Sequence, residues 1–211
     1  MKYFYTLILL ITVTTFSYSQ YDFRAGMGIS FGTTPSLTDY LNQNYTQQLG
    51  VFGSAVVFSG EGGYLLNDHY EIGVELAYLI NSYTFPQDFG NYRLSYDILM
   101  PSLLNYYVIM GKGYDFKFGG GVGPRFVSAN QQLGTSHGVN YSSTGFGLLL
   151  RADGNTTLGG NLYANIGVDL RYDFNGKPKY GNIYIHNNAN NQDVNFNSLS
   201  VAIRLGVSYI F

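Results

Sequence analysis

At the end of the chain every second residue is apolar. Leu199, Val201, Ile203, Leu205, Val207, Tyr209 and Phe211 alternate with Ser200, Ala202, Arg204, Gly206 and Ser208. A period of two held over this length predicts a strand with two chemically different faces. Residues 161–174 repeat it, setting Leu162, Ile166, Val168, Leu170, Tyr172 and Phe174 against Asn165, Gly167, Asp169, Arg171 and Asp173. In residues 69–83 Tyr70, Ile72, Val74, Leu76, Tyr78 and Ile80 oppose Glu71, Gly73, Glu75 and Asn81. In residues 21–31 Phe23, Ala25, Met27, Ile29 and Phe31 oppose Asp22, Arg24, Gly26, Gly28 and Ser30. Looser alternation near 51–66, 94–108, 114–128 and 143–155 brings the expected number of strands to eight.

The face that carries the charges decides which solvent surrounds the strands. Charged residues make up only 11% of the chain, against about 25% in soluble proteins. The alternation assigns fifteen of them to the polar strand face: Asp22, Arg24, Glu61, Glu71, Glu75, Asp97, Asp115, Lys117, Arg125, Arg151, Asp153, Asp169, Arg171, Asp173 and Arg204. Apart from Lys2, the other eight fall in turns and loops, and none is expected on the apolar face. A soluble barrel of the lipocalin kind, the structural alternative, would carry its charges outside. Here the apolar face is the larger and cleaner one, and a charge on a lipid-facing strand costs about 2–4 kcal/mol at the bilayer midplane. An open sheet edge cannot face hydrocarbon, so the expected fold is an all-β, eight-stranded antiparallel up-and-down transmembrane β-barrel. A helical span is excluded, because it needs about 20 apolar residues and the chain offers only short runs such as 106–110.

The connections alternate in length. Long ones are expected at 32–50, 84–93, 129–142 and 175–197, and short turns at Asn67-Asp68, at 111–113 and at 154–160. Short periplasmic turns and long external loops are the pattern of outer-membrane barrels. Tyr70, Tyr83, Tyr92, Tyr106, Tyr114, Tyr141, Tyr172 and Tyr209 cluster near strand ends, where aromatic girdles form. Pro101 and Pro124 each delete a ladder donor, which predicts a bulge or a break. Residues 1–19 form a signal peptide, with Lys2, the apolar stretch 7–13 and the small residues Ser17 and Ser19 at the cleavage site. The barrel domain is expected over 20–211.

The net charge of -2 gives no footprint for nucleic acid, and with no cysteine there is no thiol chemistry. An eight-stranded barrel encloses just enough space for side chains. Glu75, Arg125, Arg151, Asp169, Arg171 and Arg204 are expected nearest its middle, as an ion-paired plug, with Gly119, Gly121 and Gly123 leaving room for bulky side chains. No cofactor and no metal are expected. A catalytic reading would use Ser136, His137, His186 and Asp193, but nothing in their spacing brings them together, and enzyme activity is not predicted. The long external loops, above all the asparagine-rich 175–197, are the expected ground for binding.

The ending Arg204-Leu205-Gly206-Val207-Ser208-Tyr209-Ile210-Phe211 resembles the C-terminal signal read by the barrel assembly machinery, carried by Arg204, Gly206, Tyr209 and Phe211. The stretch ILMPSLLNYYVIMGKGYDFKFGGGVGPRF is similar to the middle hairpin of the small outer-membrane β-barrel family common in Bacteroidota, of OmpA/OmpX type and including PorT-like proteins. The resemblance implies a monomeric barrel in the outer membrane of a Gram-negative bacterium, in contact with outer-membrane lipid. No OmpA-type peptidoglycan-binding domain is expected. The expected role is structural, or binding of an extracellular ligand or envelope protein through the loops. The alternatives are a narrow channel or a component of a secretion or envelope machine, and a lipid-modifying enzyme.

Overall fold

The computed structural model describes residues 21–45, 49–87 and 90–211, and the expected signal peptide lies outside them. Eight long strands form the barrel: β1 Tyr21–Thr33, β2 Gly53–Asn67, β3 Tyr70–Phe85, β4 Tyr92–Gly111, β5 Tyr114–Leu133, β6 Val139–Gly159, β7 Leu162–Phe174 and β8 Ser198–Ile210. Each is antiparallel to its neighbours in sequence, and β8 pairs back onto β1, so the sheet has no free edge. At the closing seam Gly26 stands opposite Gly206. A Cβ on Gly206 would lie 2.4 Å from the Ala25 carbonyl oxygen, so only glycine fits.

β4, β5 and β6 are 20, 20 and 21 residues long, about twice what a tilted membrane strand needs. The connection expected at 129–142 is therefore mostly strand, with only 134–138 left outside it, and strand also takes in both ends of 84–93, since β3 runs to Phe85 and β4 starts at Tyr92. The surplus rises beyond the apolar belt, and there the polarity of the two faces reverses. Lower down, Ile72, Val74, Leu103, Phe116, Phe118, Leu148 and Leu150 point outward and are exposed. Higher up, the outward positions are Ser82 and Thr84, Arg93, Ser95 and Asp97, Ser128 and Asn130, Ser142 and Thr144, while Tyr92, Leu94, Tyr96, Ile98, Val127 and Ala129 turn inward and are buried.

This reversal corrects the expectation for Asp97. Its residue parity is that of Leu99 and Leu103, so it stands on the outer face, opposite Ile80 of β3. Above the bilayer the outer face is the wet one, and a charge belongs there. The girdle is also smaller than expected. Tyr70, Tyr114, Tyr172 and Tyr209 are outward, but Tyr92 and Tyr106 are buried inside, and Tyr83 and Tyr141 pack against the internal core.

The connection 32–50 is not merely a loop, because it contains the helix α1, Pro35–Asn44. Pro at the first helical turn costs no hydrogen bond, and Leu37, Tyr40 and Leu41 recur at helical spacing to give one apolar stripe. Ten residues make a marginal helix in water. Burial of Leu37, Tyr40 and Leu41 inside the barrel mouth contributes about 1.5–3 kcal/mol per side chain. In 175–197 the chain forms two tiny hairpins, Lys179–Tyr180 with Ile183–Tyr184, and His186–Asn187 with Gln192–Asp193. It also sends Ile185, Val194 and Phe196 into the same core.

Candidate functional site

The interior has two tiers. Fourteen of the fifteen expected interior charges are buried within the barrel: twelve lie in its lower part, toward the short turns, and the Arg125–Asp173 pair stands higher, beneath the cap. Arg151, from β6, is the hub: it pairs with Glu61 at 2.7 Å, Glu75 at 2.5 Å and Asp169 at 2.7 Å. Arg171 binds Glu75 and Asp169, both at 3.0 Å. Arg204 reaches Asp153 at 2.9 Å and Asp169 at 3.1 Å. Five of the six singled-out residues thus share one network. Arg125 stands apart from it, paired with Asp173.

Below this hub Arg24 bridges Asp22, Glu61, Glu71 and Asp153, and Lys117 binds Asp22 and Glu71. A neutral ladder continues to the rim, with Asn155 donating to Asp115 at 2.7 Å, and Asn165 and Ser208 donating to Asn155 at 2.8 and 2.9 Å. Charges this deep need partners on every side. Glycines make the room. A Cβ on Gly119 would meet the Tyr106 ring at 2.5 Å, and on Gly121 the Leu104 side chain at 2.4 Å. Gly123 instead admits the Pro101 carbonyl, 2.0 Å from where its Cβ would be.

The upper tier is apolar, which the expectation of an interior filled by charges missed. Leu94, Tyr96, Ile98 and Met100 from β4 meet Val57, Ala77, Val127 and Ala202 around the wall. The cap closes over them. Tyr45 stacks on Tyr92 with centroids 4.0 Å apart, and Phe196 meets Tyr96 edge-on at 5.3 Å. The two cap segments are tied together by Asn187, which is 2% exposed. It donates to Gln43 at 2.8 Å and accepts from Asn44 at 3.0 Å. Asn175, fully buried, donates to the Phe196 carbonyl at 2.8 Å. Beneath the cap, Asn81, Tyr96, Asp173 and Ser200 border a void of about 30 Å³, room for a water molecule and no more. The helical spacing of Leu37, Tyr40 and Leu41 is the sequence signal that could have revealed this cap.

Of the residues of the catalytic reading, His186 and Asp193 meet, but the Ser136 hydroxyl joins neither. His186 lies 3.0 Å from Asp193 and 3.3 Å from Asn191, so neither ring nitrogen meets a hydroxyl. The Ser136 hydroxyl donates to the Leu133 carbonyl within its own loop. Hydrogen bonding from His186, reinforced by Lys177, holds the Asp193 carboxyl below its usual value. The C-terminal residues divide between the two faces. Arg204 and Gly206 face inward, whereas Tyr209 and Phe211 are outward, their rings 4.8 Å apart, and Phe211 meets Phe23 edge-on at 5.8 Å.

No family model matches the chain, and no curated protein does. Solved structures do share its fold. Neisserial surface protein A superposes with a TM-score of 0.55 at 14% identity, over 90% of this chain and 97% of that one. Ail, the attachment invasion locus protein of Yersinia pestis, solved in complex with the heparin analogue sucrose octasulfate, gives 0.53 at 11% identity, over 92% of this chain and all of that one. The chain has the fold of the eight-stranded transmembrane β-barrels.

Proposed function

We propose that this protein is an outer-membrane β-barrel of a Gram-negative bacterium, closed to ion flow, whose extracellular cap serves as a binding surface. The observation that carries the reading is the double closure along one axis. The Arg151 network fills the lower barrel, and the cap seated on Tyr92, Leu94 and Tyr96 fills the upper. An ion would have to break a buried network and then cross an apolar layer, each a barrier of several kcal/mol. The outward apolar belt supports lipid as the surrounding solvent. The cap supports binding because a rigid scaffold holds polar loops in fixed positions.

Arg204, Gly206, Tyr209 and Phe211 act in this reading as the signal for the barrel assembly machinery, and the barrel works as a monomer with lipid along its wall. Cell fractionation with comparison of boiled and unboiled gel migration tests the location and closure. The expected result is outer-membrane partition with a shifted unboiled band. Planar-bilayer recording is expected to show no steps above background, and steady ohmic conductance would overturn the closed reading.

A further inference from the structure

On the outer rim, between α1 and the adjoining ends of β7 and β8, lies an open cavity of about 500 Å³. Its chemistry is that of a sugar site. Asn190, Gln192, Asn195 and Asn197 line it together with Asp39, and no Lys, Arg or His does. The orientation of three of these amides is fixed by the loop. Asn190 Oδ1 accepts from the Gln192 N–H at 3.1 Å, Asn195 Oδ1 from the Asn197 N–H at 3.2 Å, and Asn197 Oδ1 from the Gly176 N–H at 3.1 Å. A backbone N–H can donate only to the amide oxygen, so each NH₂ end, with two donors, is left without a protein partner among the described residues. The Gln192 side chain and the Asp39 carboxylate likewise have none.

The result is a row of free amide donors beside two free acceptor groups, the Asp39 carboxylate and the Gln192 amide oxygen. Sugar hydroxyls both accept and donate, and they match such a set. A phosphate or sulfate is held best by Arg or Lys, and the cavity has neither; its one charged side chain is the Asp39 carboxylate, which repels an anion. The floor is aromatic. Tyr172 lines the cavity, outward-facing and 43% exposed, and gives it an aromatic surface for the C–H side of a pyranose. Tyr172 is paired with Leu199 on β8, at the level where the lipid belt gives way to the polar cap. The cavity is of a size that takes one or two sugar rings.

We propose that this rim cavity binds an uncharged sugar ring, presented by a glycolipid of the outer leaflet or by a free glycan. The inference deepens the binding role of the cap and rests on it. The test uses the full barrel in nanodiscs of phosphatidylethanolamine that contain either monoglucosyl diacylglycerol or phosphatidylglycerol, read by native mass spectrometry, with maltose as the free competitor. Retention of the glucolipid about tenfold above phosphatidylglycerol is expected, a difference that one or two hydrogen bonds supply. Gln192→Ala with Asp39→Asn removes it, and neither side chain holds the fold. Tyr172→Leu, which keeps the belt apolar, is expected to remove it as well. Displacement by maltose identifies a site that reads the sugar alone, and resistance to maltose one that needs the lipid anchor. Equal retention of both lipids with no maltose binding, or retention unchanged in the variants, overturns the site while a shifted unboiled band leaves the barrel standing. A protein without that band overturns both, since the cavity needs the closed β7–β8 wall.

Discussion

In the β4–β5 ladder Pro101 stands directly opposite Pro124. The register runs from Leu99↔Phe126 to Leu103↔Val122 without a shift, and only the three pairs between are missing. Opposed residues at a hydrogen-bonded position exchange both their N–H···O bonds, and proline has no N–H to give. Placing the two prolines face to face concentrates both lost donors at one point and leaves the ladders to β3 and β6 intact. Arg125 replaces them. Its Nη1 lies 3.0 Å from the Pro124 carbonyl and 3.4 Å from that of Pro101, with Ser102 Oγ and the Gly123 carbonyl also in reach, while Nε donates to Asp173.

Arg125→Met is therefore expected to be among the most damaging single changes in the barrel. It strands a buried carboxylate and the orphaned carbonyls together, at a cost of about 3–5 kcal/mol. Adding Asp173→Asn is expected to recover part of the loss, because the unpaired charge goes. Denaturant unfolding in detergent, followed by loss of the unboiled gel band, measures both.

The same pair sets a steric prediction. A Cβ on Gly147 would lie 2.1 Å from Asp173 Oδ1 and 2.3 Å from Arg125 Nε, whereas one on Gly60 meets nothing within 4 Å. Gly147→Ala is expected to destabilise the barrel by about 1–3 kcal/mol, the usual range for overpacking. Gly60→Ala is expected to change the same unfolding midpoint little.

Two closures in series make conductance a test of their independence. Replacing residues 35–44 by a Gly/Ser linker is expected to expose Tyr92 and Tyr96 and speed amide exchange at the ends of β4 and β5, yet to leave planar bilayers silent. Ion steps are expected only when Arg151→Ala is added, since that change opens the lower network. Conductance from the linker variant alone would show that the Arg151 layer does not seal the barrel.

The His186–Asp193 hairpin responds to acid in one direction. The Asp193 carboxyl is held below its ordinary value, first by the hydrogen bond from His186 and then by Lys177. A lowered carboxyl contributes its full share above the unfolded value of about 3.9 and loses it as pH falls through the folded value. Carboxyl titration by NMR is expected to place Asp193 below that of Asp193 in His186→Ala. Protection of the 186–193 amides against exchange is expected to hold down to about pH 4.

Strand faces and the solvent around them could be read from residue order alone. Alternation at Leu199–Phe211 and 162–174 was legible because a strand's side chains change face at every residue, and charge on one parity is forbidden by lipid whatever the rest of the chain does. The six residues from Glu75 to Arg204 could be assigned to the interior for that reason. Their pairing could not, because Arg151 meets Glu61, Glu75 and Asp169 across strands far apart in sequence. The rule also had a boundary that the sequence does not mark. Asp97 has the parity of the outward Leu99 and Leu103 and still carries a charge, since β4 has left the bilayer by then and water has replaced lipid outside. The folded sheet alone reveals where that crossing lies, that Leu37, Tyr40 and Leu41 fold back into the mouth, and that Pro101 and Pro124 share one gap. Each depends on strand register and stagger around a closed sheet, which bring together residues that local pattern leaves unrelated.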